Sequence, residues 1–210
     1  VSWRSVAKEP PVYVVDPELP RSARLAGLLP ALADPEDRMA FEDRIDQRRR
    51  RAGGELPGGW APVQGMALRE ELGHALRDGP SRLFYFGHVS ADVDDPGSAA
   101  LHLSDEVAVR SCSLRGTVGH ADPLGPRGPS GVRRRARPGD HLPLCALDLV
   151  LGTTGTPHRD GDGIRGADLW PMPPRVAIIA CEGAVDYRSS EPFGLVTAML
   201  DSGAELVTST

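Results

Sequence analysis

The chain has 210 residues, and its 24 Gly and 20 Pro put about a fifth of all positions in residues that interrupt regular elements. That excludes a coiled coil or an all-helical bundle, while 40% hydrophobic and 25% charged residues supply the core of one α/β domain with long loops. The 24 basic and 29 acidic residues leave a net charge of -5, and Lys8 is the only lysine, a balance that gives no support to nucleic-acid binding.

The first strong element is the β-branched and aromatic run 12–15, a buried strand that Asp16-Pro17 opens into a loop. Residues 19–29 carry Leu25, Leu28 and Leu29 beside Arg21 and Arg24, and predict a short helix stopped by Pro30. A flexible insertion of charge, Gly and Pro follows over about 34–59, including the basic run of residues 48–51. Leu68, Leu72 and Leu76 then recur every four residues, with acids early and Arg77 late, as the helix dipole favours. Gly79-Pro80 ends that helix, and 83–86 reads as a second buried strand delivering Gly87-His88.

Residues 101–103 and 107–109 suggest a small hairpin, and 116–139 returns to Gly, Pro and Arg as a second flexible insertion with little core. A short helix is predicted within 142–151. Pro173-Pro174 introduces 176–180, the clearest buried strand, which ends at Cys181-Glu182-Gly183. A helix over about 192–200 starts on Pro192, whose missing amide hydrogen does no harm there, and buries Phe193, Val196 and Leu200. Gly203 closes it before a strand beginning at Leu206-Val207. Strands and helices in alternation predict a mainly parallel sheet with covering helices.

Two apolar strands finish on reactive residues, His88 and Cys181. The carboxyl ends of neighbouring parallel strands converge on one edge, which can bring groups 93 residues apart within hydrogen-bond reach. A cysteine needs only a modest push toward thiolate, and a nearby imidazole can supply it and return the proton to a leaving amine. The backbone amides at Val89 and Cys181 are the expected donors to a tetrahedral oxyanion. Taken singly, Cys181 reads as an inert buried thiol and His88 as a structural histidine, and their matched placement is what favours the pair.

The other histidines carry less. His102 is expected to face solvent, and His74, His120, His141 and His158 to be surface residues without metal-ligand spacing. Cys112 is incidental and Cys145 belongs to the core. Asp92 sits in an acidic cluster with Asp94 and Asp95, and Asp186 and Glu191 follow the nucleophile in sequence. These acids can attract Arg or Lys of a peptide, and the Asp92 cluster alternatively a divalent cation, although a solvated loop or a helix N-terminus explains them as well. Residues 160–163 lack the remaining ligands of a calcium loop, and 152–156 lack the lysine of a phosphate loop. No metal or cofactor is expected.

The three cysteines form no disulfide framework, no apolar run approaches a membrane span, and no secretory signal opens the chain, so a reducing cytoplasm is expected. The chain begins without Met and ends on an apolar run, as a fragment of a longer protein would.

The order strand-Gly87-His88, a long gap, the segment 173–183 and then 191–210 resembles the CHAT domains, a caspase-like family related to the clan CD cysteine peptidases and often found in bacterial multidomain proteins. The resemblance covers most of the chain in outline, is most specific over 173–210, and implies a single domain over residues 1–210. It implies a caspase-like three-layer α/β fold with a central mainly parallel sheet, C-terminally incomplete here because the family pattern continues past Thr210. It carries His88 onto the family's catalytic histidine and Cys181 onto its nucleophile, acting as a dyad on a protein or peptide substrate under the control of an upstream sensor domain or partner chain. Val89 departs from the glycine usual at that position, and its Cβ narrows the approach to the oxyanion position. The competing expectation is a noncatalytic interaction or scaffold module on the same fold.

Overall fold

The structure, a computed structural model, describes residues 3–28, 60–92, 95–106, 124–127, 133–135, 139–152, 165–180 and 194–209, with scattered positions between 36 and 47. These residues form a mixed α/β domain with one parallel and two antiparallel sheets.

Strand β1 (Val12–Val15), β2 (Arg82–Phe86), β8 (Arg175–Ile179) and β9 (Leu206–Ser209) make a four-stranded sheet in the order β1-β2-β8-β9, parallel at every pairing. The period of two sorts each strand. Val12, Val14, Leu83, Tyr85, Val176 and Ile178 enter the main core, while Val15 packs with Val63 against Tyr13, Phe84 and Phe86 on the opposite face. The free side of β1 is met by the segment 60–64: Tyr13 N donates to Trp60 O and Val15 N to Pro62 O, and Gln64 N donates to Val15 O.

The main-core side is built from α2 (Arg69–Arg77), α3 (Ala146–Leu151), α4 (Gly166–Leu169) and α5 (Leu195–Asp201), with a short α1 (Trp3–Val6) at the start of the chain. Helix α2 buries Leu72 and Leu76, two of the three leucines of the predicted stripe, and Glu71 reaches back to accept the amide hydrogen of Leu68. A second sheet, β3 (Val89–Asp92), β4 (Asp95–Leu101) and β7 (Leu144–Cys145), is antiparallel in the order β3-β4-β7.

One buried polar cluster joins these helices. Arg69 Nη2 lies 2.9 Å from Asp148 Oδ2, with the side chains 4% and 0% exposed. The same carboxylate accepts Cys145 N–H at 3.1 Å, which caps the start of α3, and the Cys145 thiol at 3.2 Å. The Arg69 guanidinium lies 5.4 Å from the ring centroid of Trp170, whose indole N–H donates to Arg69 O. Asp105 Oδ2 accepts Arg69 N–H, and the Ser104 hydroxyl accepts Ala67 N–H while donating to Glu18 O. The turn at 104–105 thereby ties α2 to the loop that follows β1.

Several expectations are corrected. Where a helix over 19–29 is expected, the described residues 19–28 form only a 3₁₀ turn, Arg21–Ala23, because Pro20 and Gly27 interrupt the run and Leu25, 40% exposed, finds no core. The predicted hairpin is displaced: Leu101 ends β4, whose hairpin partner is β3, and residues 107–109 lie outside the described residues. Part of 142–151 is strand β7 before α3 begins. Helix α5 starts at Leu195 and buries Leu195, Ala198 and Met199, leaving Leu200 exposed. Phe193 lies outside the described residues, as does most of the 34–59 insertion. The 116–139 insertion contains a small antiparallel pair, β5 (Leu124–Arg127) with β6 (Arg133–Arg135).

The Asp148 carboxylate holds α2 and the start of α3 together, so its loss leaves the buried Arg69 guanidinium without its ion-pair partner. Asp148→Ala is expected to cost about 3–5 kcal/mol. A double variant Arg69→Met/Asp148→Leu is expected to recover most of that stability. Urea denaturation midpoints check both.

Candidate functional site

The four parallel strands finish on one edge. Phe86 stands opposite both Val15 and Ile179, so β1, β2 and β8 stop level with one another. Two backbone bonds fasten the strand ends: Asp16 N–H donates to Phe86 O at 2.6 Å and Gly87 N–H donates to Ile179 O at 3.2 Å. His88 follows immediately, and Val89, buried, opens β3.

The backbone around His88 is held from below. Tyr85, fully buried on β2, sets its hydroxyl 2.7 Å from His88 O and 2.9 Å from His102 O, and His102 N–H donates to His88 O at 3.0 Å. Burial of the phenol and the nearby Asp16 charge raise its pKa, so Tyr85 serves as a neutral donor. A Cβ at Gly87 would come 2.6 Å from the Tyr85 hydroxyl, and Gly is therefore required for the chain to pass over the ring.

The His88 ring is half-buried, and its Nε2 lies 2.7 Å from Ala26 O. A carbonyl oxygen only accepts, so Nε2 carries the proton and Nδ1 of the neutral ring holds a lone pair. Orientation by a backbone carbonyl is the arrangement a general base needs.

Behind His88 two more imidazoles pack together. The His102 ring is edge-on to His88 at 6.5 Å between centroids and stacked on His141 at 5.0 Å. His102 Nε2 lies 2.8 Å from the Ser90 hydroxyl, and His141 Nε2 donates to Leu103 O at 3.1 Å. Burial lowers both pKa values from 6.5 to about 4, and neighbouring His141 and His88 add to the effect at His102. Both are expected at the surface, yet His102 and His141 are half-buried and stacked on each other, with His102 bonded to Ser90 of β3.

Of the predicted site residues, His88 and Val89 lie together at the sheet edge, and Asp92 ends β3 opposite Asp95. Cys181 follows β8 by two residues and lies, with Asp186 and Glu191, outside the described residues. Cys145 is buried as expected, its thiol pushed up to about 12 first by burial and then by the Asp148 charge. Among the described residues no group of three or more His, Cys, Asp or Glu is arranged to hold a metal ion, and no helix is long and apolar enough to cross a membrane. No family model, curated protein or solved structure matches this chain.

The histidine pair makes the fold acid-sensitive. Both groups titrate near 6.5 when unfolded and near 4 when folded, so below about pH 6.5 the unfolded chain binds the extra protons. Stability is then lost progressively down to about pH 4, by on the order of 2–3 kcal/mol from His102 and less from the more open His141. Denaturation midpoints from pH 7 to 4 are expected to fall, and the fall is expected to shrink in His102→Gln; a profile that His102→Gln leaves unchanged would contradict this assignment.

Proposed function

We propose that the chain is a cysteine endopeptidase domain of the caspase-like kind, with Cys181 as nucleophile and His88 as general acid and base, cleaving a protein partner. One observation carries the reading. Strands β2 and β8, which lead to His88 and Cys181, are parallel neighbours with Phe86 opposite Ile179. Residues that follow such strand ends leave the sheet at the same edge, the usual place for chemistry in an α/β fold.

The chemistry needs no cofactor. The Cys181 thiol loses its proton to His88 Nδ1, the lone-pair nitrogen that the Ala26 contact leaves available. The thiolate sulfur bonds to the scissile carbonyl carbon, and the oxyanion accepts hydrogen bonds from the amides of Val89 and Cys181. As the C–N bond breaks, His88 returns the proton to the departing amine. Water then attacks the thioester carbon, His88 takes its proton, and the thiol is released with a carboxylic acid. Asp92, Asp186 and Glu191 supply negative charge for a substrate with Arg or Lys before the scissile bond. An upstream sensor domain or partner chain is the expected source of control.

A second reading, a noncatalytic interaction module, is favoured by exposed apolar residues at this side of the sheet: Leu206 on β9, the edge strand among the described residues, is 52% exposed, and Ile179 at the end of β8 is 36% exposed.

Labelling by peptidyl acyloxymethyl ketones separates the two. Wild-type protein is expected to label at one cysteine, Cys181→Ala to lose the label, and His88→Ala to slow it by about 10²-fold or more. Cys145, held neutral, is expected to stay unmodified. A folded protein that labels equally well with and without His88 would favour the interaction module.

A further inference from the structure

We propose that Asp16 is a positioning residue for the His88 imidazole, acting through the segment 24–28; the inference rests on the reading of His88 as the general base. Asp16 ends β1 with φ 45°, a left-handed conformation that Asp tolerates better than bulkier residues. It is 4% exposed, and its amide is fixed to the end of β2 through Phe86 O. A strand end needs neither a buried carboxylate nor a left-handed backbone, and both carry a cost.

The carboxylate faces the segment that orients His88. Oδ1 accepts Leu28 N–H at 2.8 Å, and Oδ2 accepts Gln64 Nε2–H at 3.1 Å. Gly27 lies directly over it, close enough that an added Cβ would be 3.3 Å from Oδ2. Two residues before Leu28, Ala26 offers the carbonyl that accepts His88 Nε2–H. The connection therefore runs from the Asp16 carboxylate through the Leu28 amide and the Ala26 carbonyl to His88 Nε2, and so determines that Nδ1 keeps the lone pair.

Among the described residues little else fixes this segment. After the 3₁₀ turn Arg21–Ala23 it has no regular structure, Arg24 is itself left-handed at φ 57°, and Leu25, Ala26 and Gly27 are all exposed. No apolar side chain of residues 24–27 anchors it in the core. Gln64, also left-handed at φ 44° and bonded through its amide to Val15 O, holds the other carboxylate oxygen and keeps Oδ1 aimed at Leu28.

The test reads the tautomer directly, by two-bond proton–nitrogen correlation spectra of protein carrying ¹⁵N-histidine, alongside the rate of Cys181 labelling by a peptidyl acyloxymethyl ketone. Wild-type His88 is expected to hold its proton on Nε2. Asp16→Ala is expected to give a mixed or exchanging tautomer and to slow labelling at least tenfold. Asp16→Asn is expected to restore both, since its side-chain oxygen still accepts from Leu28 and Gln64 can turn its amide over to meet the new NH₂. Leu28→Pro, which removes the donor but leaves the core intact, is expected to reproduce Asp16→Ala and carries the test if Asp16→Ala does not fold. Folded Asp16→Ala or Leu28→Pro protein that keeps the wild-type tautomer overturns the proposal. If the tautomer shifts as expected while Cys181 never labels in any form, the positioning role of Asp16 stands and the peptidase reading fails.

Discussion

The in-register parallel pairing of β2 between β1 and β8 is the constraint on which the site depends. Because Phe86 meets Val15 on one side and Ile179 on the other, three chain segments leave the sheet at one level. The peptide groups just beyond the strands are then near enough to bond across, as Asp16 N does to Phe86 O and Gly87 N to Ile179 O. A one-residue slip of β2 would turn Tyr85 to the other face of the sheet and remove the hydroxyl that holds the carbonyls of His88 and His102. The register thus determines both the core and the direction in which His88 is presented.

The sheet keeps that register because its inner face is covered by helices that are themselves held by polar contacts. Asp148 sits at the start of α3 yet bonds to Arg69 at the start of α2, so the two helix starts are fixed to each other before any apolar contact is counted. Such a pair adds little net stability compared with apolar residues of the same volume, but it tolerates only one arrangement of its partners. The Ser104-Asp105 turn extends the same connection to Ala67, Arg69 and Glu18, which borders the loop behind Asp16. Order at the candidate site is therefore continuous with order in the helical layer.

The strands of the parallel sheet were legible in the sequence because each is a short apolar, mostly β-branched or aromatic run bounded by Pro, Gly or Asp. Strands β3 and β4 were not, since Asp-Val-Asp-Asp-Pro-Gly lacks alternation and their pairing rests on a local hairpin with a bulge. Helix α5 was found with its buried stripe misplaced, because Val196 and Leu200 satisfy the same spacing of four as Leu195 and Met199. His88 could be singled out from its place at a strand end. In the sequence Asp16 has only the signature of a strand stop, and nothing local distinguishes that role from a buried carboxylate whose partners lie 12 and 48 residues away. The half-buried positions of His102 and His141 are hidden for the same reason: stacking across 39 positions leaves no local pattern.

The most direct test of the account is the separation of Cys181 Sγ from His88 Nδ1 in a crystal structure of the protein carrying a peptidyl adduct on Cys181. The account predicts roughly 3 to 4 Å, with His88 Nε2 still bonded to Ala26 O. A separation beyond about 7 Å, or a His88 ring turned so that Nε2 faces the sulfur, would contradict it.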